Sequence, residues 1–207
     1  LIAGWTVLPL AALALGGCAS LAAPLLKPKL SAEIAALPAG DWQLDPAHAA
    51  LVFRINHLGY SDLIGRFESF DVTLRGDSAD PASARADAVI DMASLDIAND
   101  SFAEELMGPK FFDAARYPQA VFRTLSVTPG ENGQAAVNGE LTLHGQTRPV
   151  TLAVQFNGSA FDPIRGAQVA GFSASAVIDR TEFGISAFSG LVTDEVRIEI
   201  EAEFLKQ

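Results

Sequence analysis

The chain is 207 residues long and carries 25 Asp and Glu against 14 Lys and Arg, a formal net charge of −11. That balance argues against nucleic acid, whose phosphates require basic patches, and against attachment to anionic lipid head groups through charge alone. Its one cysteine, Cys18, excludes an internal disulfide, so an oxidising compartment costs the fold nothing.

Leu1 to Cys18 holds no charged residue: an apolar run from Trp5 to Leu15 is followed by Gly16-Gly17-Cys18. An apolar core closed by small residues is the pattern of an export signal, and it is too short to span a bilayer comfortably. Leu15-Gly16-Gly17-Cys18 resembles a bacterial lipobox, which implies that Cys18 is acylated and becomes the mature N-terminus. A short membrane anchor or a buried free cysteine are the other readings. Neither a basic residue nor an initiator Met precedes the run, so the first residues of the leader are expected upstream of Leu1. Ala19, rather than Asp, after Cys18 favours delivery to the outer membrane, facing the periplasm. The expected organisation is a signal peptide over 1–17, a lipid-anchored tether over 18–40, rich in Ala, Leu and Pro with one helical turn between Ser31 and Leu37, and a single domain over 41–207. Removal of the leader leaves 190 residues, a comfortable size for one core.

From Asp41-Trp42 onward the chain reads as strands. Leu51, Phe53, Ile55 and His57 alternate with Val52, Arg54 and Asn56, the period of a strand with one buried face. Gly59-Tyr60-Ser61-Asp62 supplies turn chemistry, and Gly65 opens a second run carrying Phe67 and Phe70. The same period marks Ala84–Asp91, Ala120–Leu125 and Val137–His144, with Pro129–Gly133 as a hairpin loop and Gly145–Arg148 as a turn. It returns at Val150–Asn157, at Phe172–Ile178, and most cleanly at Val196–Phe204. Strands with one wet face are antiparallel, since parallel sheets show continuous apolar runs and intervening helices. The one helical interlude is Asn99–Met107, with Asp100 or Ser101 as the cap. About eight such strands close a barrel wide enough for one small ligand.

Catalytic motifs are weak. His48, His57 and His144 are widely spaced; they read either as single hydrogen-bonding histidines at strand ends or as ligands of a metal or haem in an envelope enzyme or redox accessory. No Gly-x-Ser-x-Gly elbow and no phosphate loop occurs, so an enzyme is not expected and no cofactor is implied. The thirteen phenylalanines are more suggestive. Singly they read as packed core, yet Ala86, Ala88, Ala174 and Ala176 occupy inward slots and leave room for a long hydrocarbon.

A series of motifs in order extends from 41 to 204: Trp42-x-Leu44-Asp45-x-x-His48; His57-Leu58-Gly59; Gly65-Arg66-Phe67; Phe111-Phe112-Asp113-Ala114 with Tyr117-Pro118 and Phe122; Gly139-x-Leu141-Thr142-Leu143-His144-Gly145-x-Thr147-Arg148-Pro149-Val150; Asp179-Arg180-x-x-Phe183-Gly184; and Asp194-Glu195-Val196-x-Ile198. Together they resemble the YceI-like family of periplasmic polyisoprenoid-binding proteins. The resemblance implies an all-β, eight-stranded antiparallel barrel of lipocalin-like shape, with a short helix in one loop, a long amphiphile in the pore, and often a homodimer. Two positions depart from the family pattern. Ala49 stands where Ser is common, and Asn99-Asp100-Ser101 replaces an Arg-Asp pair, which puts any head-group contact by that Arg in doubt. On this reading the protein binds a polyisoprenoid or fatty-acyl lipid for carriage or storage in the envelope. The expected lining is Phe53, Ile55, Phe67, Phe70, Phe112 and Phe122, with Leu141, Leu143, Phe172 and Phe183. His57 is the expected polar contact; Asp113 and Arg180 are secondary.

Overall fold

The computed structural model describes residues 26–207, so the leader, Cys18 and the first part of the tether lie outside the described residues. Ten strands follow one another: β1 (Gly40–His57), β2 (Ser61–Phe67), β3 (Phe70–Gly76), β4 (Arg85–Asp91), β5 (Leu95–Ile97), β6 (Gln119–Pro129), β7 (Gln134–Leu143), β8 (Gln146–Asp162), β9 (Ala167–Asp179) and β10 (Val192–Lys206). Between β5 and β6 lies an α-helix, α1 (Asp100–Met107). Eight strands close the ring in the order β1, β3, β4, β6, β7, β8, β9, β10, and β10 pairs back onto β1 along most of its length. All pairings between these strands are antiparallel, as the alternating sequence requires.

β2 and β5 are not ring members. The start of β1, Gly40–Gln43, pairs with β3, but Leu51–His57 pairs with β2 instead, and β2 carries β5 on its outer edge. The ring is therefore tight where β1 begins and splayed where it ends, and α1 packs beside β5 at the splayed end. The sequence places Phe67 and Phe70 in one run; the structure breaks that run at Glu68-Ser69 and puts them on β2 and β3. The β7–β8 turn is His144-Gly145, with φ of +50° and +72°, the left-handed pair that two-residue hairpins need. Gln146–Arg148, expected to turn the chain, already belongs to β8. Asn99, not Asp100 or Ser101, caps α1 through an Oδ1 that accepts from Phe102 N at 3.0 Å.

The interior divides along the barrel axis. At the tight end Trp42, Leu44, Phe156, Ala170, Ala202 and Phe204 form one buried cluster, joined from the partly buried side by Phe172. Each ring fully buried there contributes about 2–3 kcal/mol. Leu37, 5 % exposed, closes this cluster from outside, and Ser31 bridges to Ser159 of β8. Ser31, Ile34 and Leu37 of the expected tether thus pack on the barrel, and the expected helical turn is a short 3-10 helix, Ile34–Ala36. A second cluster lines the splayed half.

Candidate ligand cavity

The splayed half encloses a cavity of about 480 Å³, within the range of natural ligand sites. β1 presents Leu51, Phe53, Ile55 and His57 to it, and β10 presents Val196, Ile198 and Ile200. The register explains the match: Leu51 faces Ile200, Phe53 faces Ile198 and Ile55 faces Val196. Both strands alternate strictly, so the outer positions Arg54 and Glu199 are left to form a surface ion pair. Leu63 and Phe67 of β2, Phe70 of β3, Phe122 of β6 and Leu141 and Leu143 of β7 complete the wall. α1 turns Phe102 and Leu106, one helical turn apart, onto the same space.

Nine of the eleven ligand-site residues expected from sequence line this cavity: Phe53, Ile55, His57, Phe67, Phe70, Phe112, Phe122, Leu141 and Leu143. Phe53, Phe67 and Phe112 meet as a three-ring cluster with centroids 5.8–6.4 Å apart, edge-on or tilted as ring quadrupoles prefer. Phe172 and Phe183 do not line it. Phe172 faces inward but lies deeper, between Phe156 at 5.3 Å and Phe204 at 5.7 Å. Phe183 lies in a 3-10 helix (Arg180–Phe183), outside any strand alternation, and is buried in the wall at 1 % exposure. The helix residues Phe102 and Leu106 were not expected there; apolar positions four apart in an interlude flanked by barrel strands are the signal that would have found them.

Two glycines behind the lining make room for its rings. A Cβ at Gly65 would sit 2.4 Å from Phe53 Cζ, and one at Gly139 would sit 2.3 Å from Phe122 Cζ and 2.5 Å from the Arg123 carbonyl. Each glycine leaves the space in which a neighbouring lining ring lies.

The only exposed members of the lining are His57, Ser61 and Phe188, which places the mouth between the β1–β2 turn and the 184–192 loop. Polar groups gather there. Asp62 accepts from Asn56 Nδ2 at 3.2 Å and from Arg197. Phe188 sits at φ +57° and stacks at 6.1 Å on Phe111, a left-handed backbone that a non-glycine residue holds only at a cost. Arg180 holds this loop. It is 6 % exposed, and it donates to the carbonyls of Ile185 (2.8 Å), Ala187 (2.8 Å), Val192 (3.5 Å) and Thr193 (3.1 Å) and to Asp194 Oδ1 (2.7 Å). Arg180 lines the cavity, as its secondary place among the expected polar contacts requires, but its donors are committed to the loop, so it acts there as a structural pin. Asp113 is not in the lining; its carbonyl accepts from Arg116 and Tyr117 N–H in the segment after α1.

The three histidines share no site. His48 and His57 stand at different levels of β1, nine positions and so roughly 30 Å of strand apart. His144 Nδ1 donates to the Phe183 carbonyl at 3.0 Å, with its ring against Tyr117. His48 Nδ1 bonds Asp45 Oδ2 at 2.8 Å, in a group that also holds Glu203. Arg165 occupies that group already. It reaches Asp45, Asp162 and Glu203 at 2.9, 2.9 and 2.7 Å, so a guanidinium supplies the positive charge that a metal would bring.

Residues 42–204 match the model of the YceI-like domain. The chain belongs to the YceI-like family. It is 35 % identical over 165 residues to a UPF0312 protein of Vibrio cholerae, covering 79 % of this chain and 87 % of that one. Protein YceI of Escherichia coli is 36 % identical over 171 residues, covering 82 % and 88 %. Among solved structures it is similar to BcnA of Burkholderia cenocepacia, with a TM-score of 0.71 and 25 % identity over 77 % of this chain and 98 % of that one. A polyisoprenoid binding domain from Saccharophagus degradans shares the fold at 17 % identity, with a TM-score of 0.61 over 80 % and 98 %. These YceI-like barrels have the same closed antiparallel architecture.

Proposed function

We propose that this YceI-like barrel is a binding protein, not a catalyst, that takes a long-chain amphiphile, polyisoprenoid or fatty-acyl, into its apolar cavity for carriage or storage in the cell envelope. The observation that carries the reading is the cavity itself: about 480 Å³ walled by aliphatic and aromatic side chains, with its exposed and polar members at one end. A hydrocarbon inside would be stabilised by about 25 cal/mol for each Å² withdrawn from water, less the cost of ordering a flexible chain, while a polar head stays at the mouth beside His57, Ser61 and Asp62. The description of the Saccharophagus degradans structure as polyisoprenoid binding points the same way. Residues 1–17 are a leader on this reading, and Cys18 carries the acyl anchor that holds the protein to the outer membrane, facing the periplasm.

The test is to isolate the protein from its own envelope under native conditions and identify by mass spectrometry what leaves on denaturation. One isoprenoid or acyl species at close to one per chain is the expected result. Protein recovered empty from that source would overturn the reading.

A further inference from the structure

Four large apolar side chains at the mouth face water. Leu58 and Tyr60 stand in the β1–β2 turn, Phe188 and Leu191 in the 184–192 loop, and each is more than half exposed. The two turns lie side by side. His57 pairs with Val192, so Leu58 follows one member of that pair and Leu191 precedes the other. The Phe188 carbonyl accepts from the Leu191 and Val192 N–H groups, both at 3.0 Å. Phe188 is also part of the lining, which makes this rim continuous with the cavity wall.

The rim differs in two ways from ordinary surface turns. The chain carries a net charge of −11, yet residues 55–61 and 183–193 hold no Asp, Glu, Lys or Arg. The turns at the tight end do carry charge, in Asp77, Asp80, Glu131 and Arg165. The charges of the mouth's own end, Glu104, Glu105 and Lys110, belong to α1 and the segment that follows it. Second, Leu58 and Phe188 sit at φ of +55° and +57°, where Gly, Asn and Asp are at home and a large apolar residue is held at a cost. Water returns nothing for exposing them there, and a contiguous apolar patch of this kind marks a contact with something apolar.

We infer that the rim is a docking face for a zwitterionic lipid bilayer, into which Leu58, Tyr60, Phe188 and Leu191 insert while cargo passes between membrane and cavity. The inference rests on the cavity being the ligand site: its proposed occupant dissolves in membranes and not in water, so the mouth has to meet a membrane to be filled. Leu and Phe side chains enter the acyl boundary, while Tyr60, with an apolar ring and a polar hydroxyl, suits the head-group level. Anionic lipid draws proteins through basic residues. The rim has none, and the acidic excess of the chain adds repulsion.

The experiment uses the full chain reconstituted on phosphatidylcholine vesicles. Tyr60→Trp supplies the reporter, Trp5→Phe removes the other exposed-sequence tryptophan, and Trp42, 1 % exposed at the tight end, remains as the internal reference. When part of the phosphatidylcholine carries brominated acyl chains, the emission added by Tyr60→Trp is expected to shift to the blue and be quenched, equally at low and high salt, while Trp42 is not. Adding Leu58→Asn, a residue suited to the left-handed backbone, lowers the docking equilibrium about tenfold, and the quenching falls with it; Leu191→Ser serves if that variant does not fold. Emission that bromine leaves unquenched overturns the docking face, and leaves the cavity reading intact where the same protein takes up cis-parinaric acid. A blue shift without quenching overturns it too, because a second copy of the chain then covers the rim. Quenching that neither rim variant lowers overturns the assignment to these residues. A protein that takes up no cis-parinaric acid overturns the cavity reading, and the transfer role with it.

Discussion

Gly65 shows how one missing side chain shapes the cavity. Phe53 lies where the Gly65 Cβ would be, so Gly65→Ala forces the ring to swing, and the free side is the cavity. The Phe53 ring can swing, but the buried Ile97, whose Cγ2 lies 2.8 Å from the same point, must give as well, so the expected cost to stability is about 2 kcal/mol, and the displaced ring takes ligand space. The prediction is a loss of hydrocarbon affinity of about tenfold, read by displacement of a fluorescent fatty acid, with the urea midpoint lowered by about 1 M. A large stability loss with unaltered affinity would show that the ring moves outward instead. At this scale the sequence was legible where the period of 2 applies: Phe53, Ile55, Leu141 and Leu143 follow from alternation alone. Alternation gives the face but not the depth, so Phe172 was placed on the correct side of the wall and at the wrong level. Phe183 carried no such signal, because it lies in a 3-10 turn. Arg180 looked available because its partners are backbone carbonyls of a loop that no side-chain pattern reveals.

The β8–β9 hairpin is tied down by charge. Its Arg165 joins three elements, bonding Asp162 at the end of β8, Asp45 in the irregular stretch of β1 and Glu203 on β10. Burial alone would push the Asp45 carboxyl up, but bonds from His48, from the Ala47 N–H and from Arg165 outweigh it and hold the group below its ordinary value of 3.8. Asp162 is likewise held low, chiefly by Arg165 and against a smaller opposing effect of burial. A carboxyl depressed on folding stabilises the fold fully above its unfolded pKa, and that contribution fades as pH falls below about 3.8 toward the lower folded value. Arg165→Met is therefore expected to cost about 2 kcal/mol at neutral pH, with the difference from wild type shrinking as the pH is lowered through 4 to 2. Urea titrations across that range check it; a constant difference would mean that the Arg165 stem, not its charge, matters. Alternation made the flanking strands readable up to Asn157 and from Phe172, whereas the hairpin end between them was not read, nor was the ion network, since its members lie far apart in sequence. The helix was readable to within one residue of its cap.

The whole molecule has two ends of different character, and the described chain enters at the one without the mouth. Ser31 is fastened to Ser159 beside the tight-end cluster, opposite the His57–Phe188 opening. Mass spectrometry of the membrane-extracted protein is expected to find an acylated Cys18 as its N-terminus; an unacylated Cys18 would argue against the anchor. The eight-strand ring was legible in outline, because repeated one-sided strands with turn signals between them have few ways to hide their edges. The splay was not, because the sequence of β1 gives no sign that it changes partner from β3 to β2 half-way along.

Pairing between β1 and β10 joins Trp42 to Lys206 and His57 to Val192, so the first barrel strand meets the last. The tight-end cluster and the cavity wall alike are built from both of them. Such long-range pairing places the chain among slow folders, with closure on the order of milliseconds to seconds. Until the final strand is in place the barrel has no closed cavity, and nothing yet encloses a ligand. Loading therefore waits for β10, and the fifteen residues Val192–Lys206 decide when it can begin.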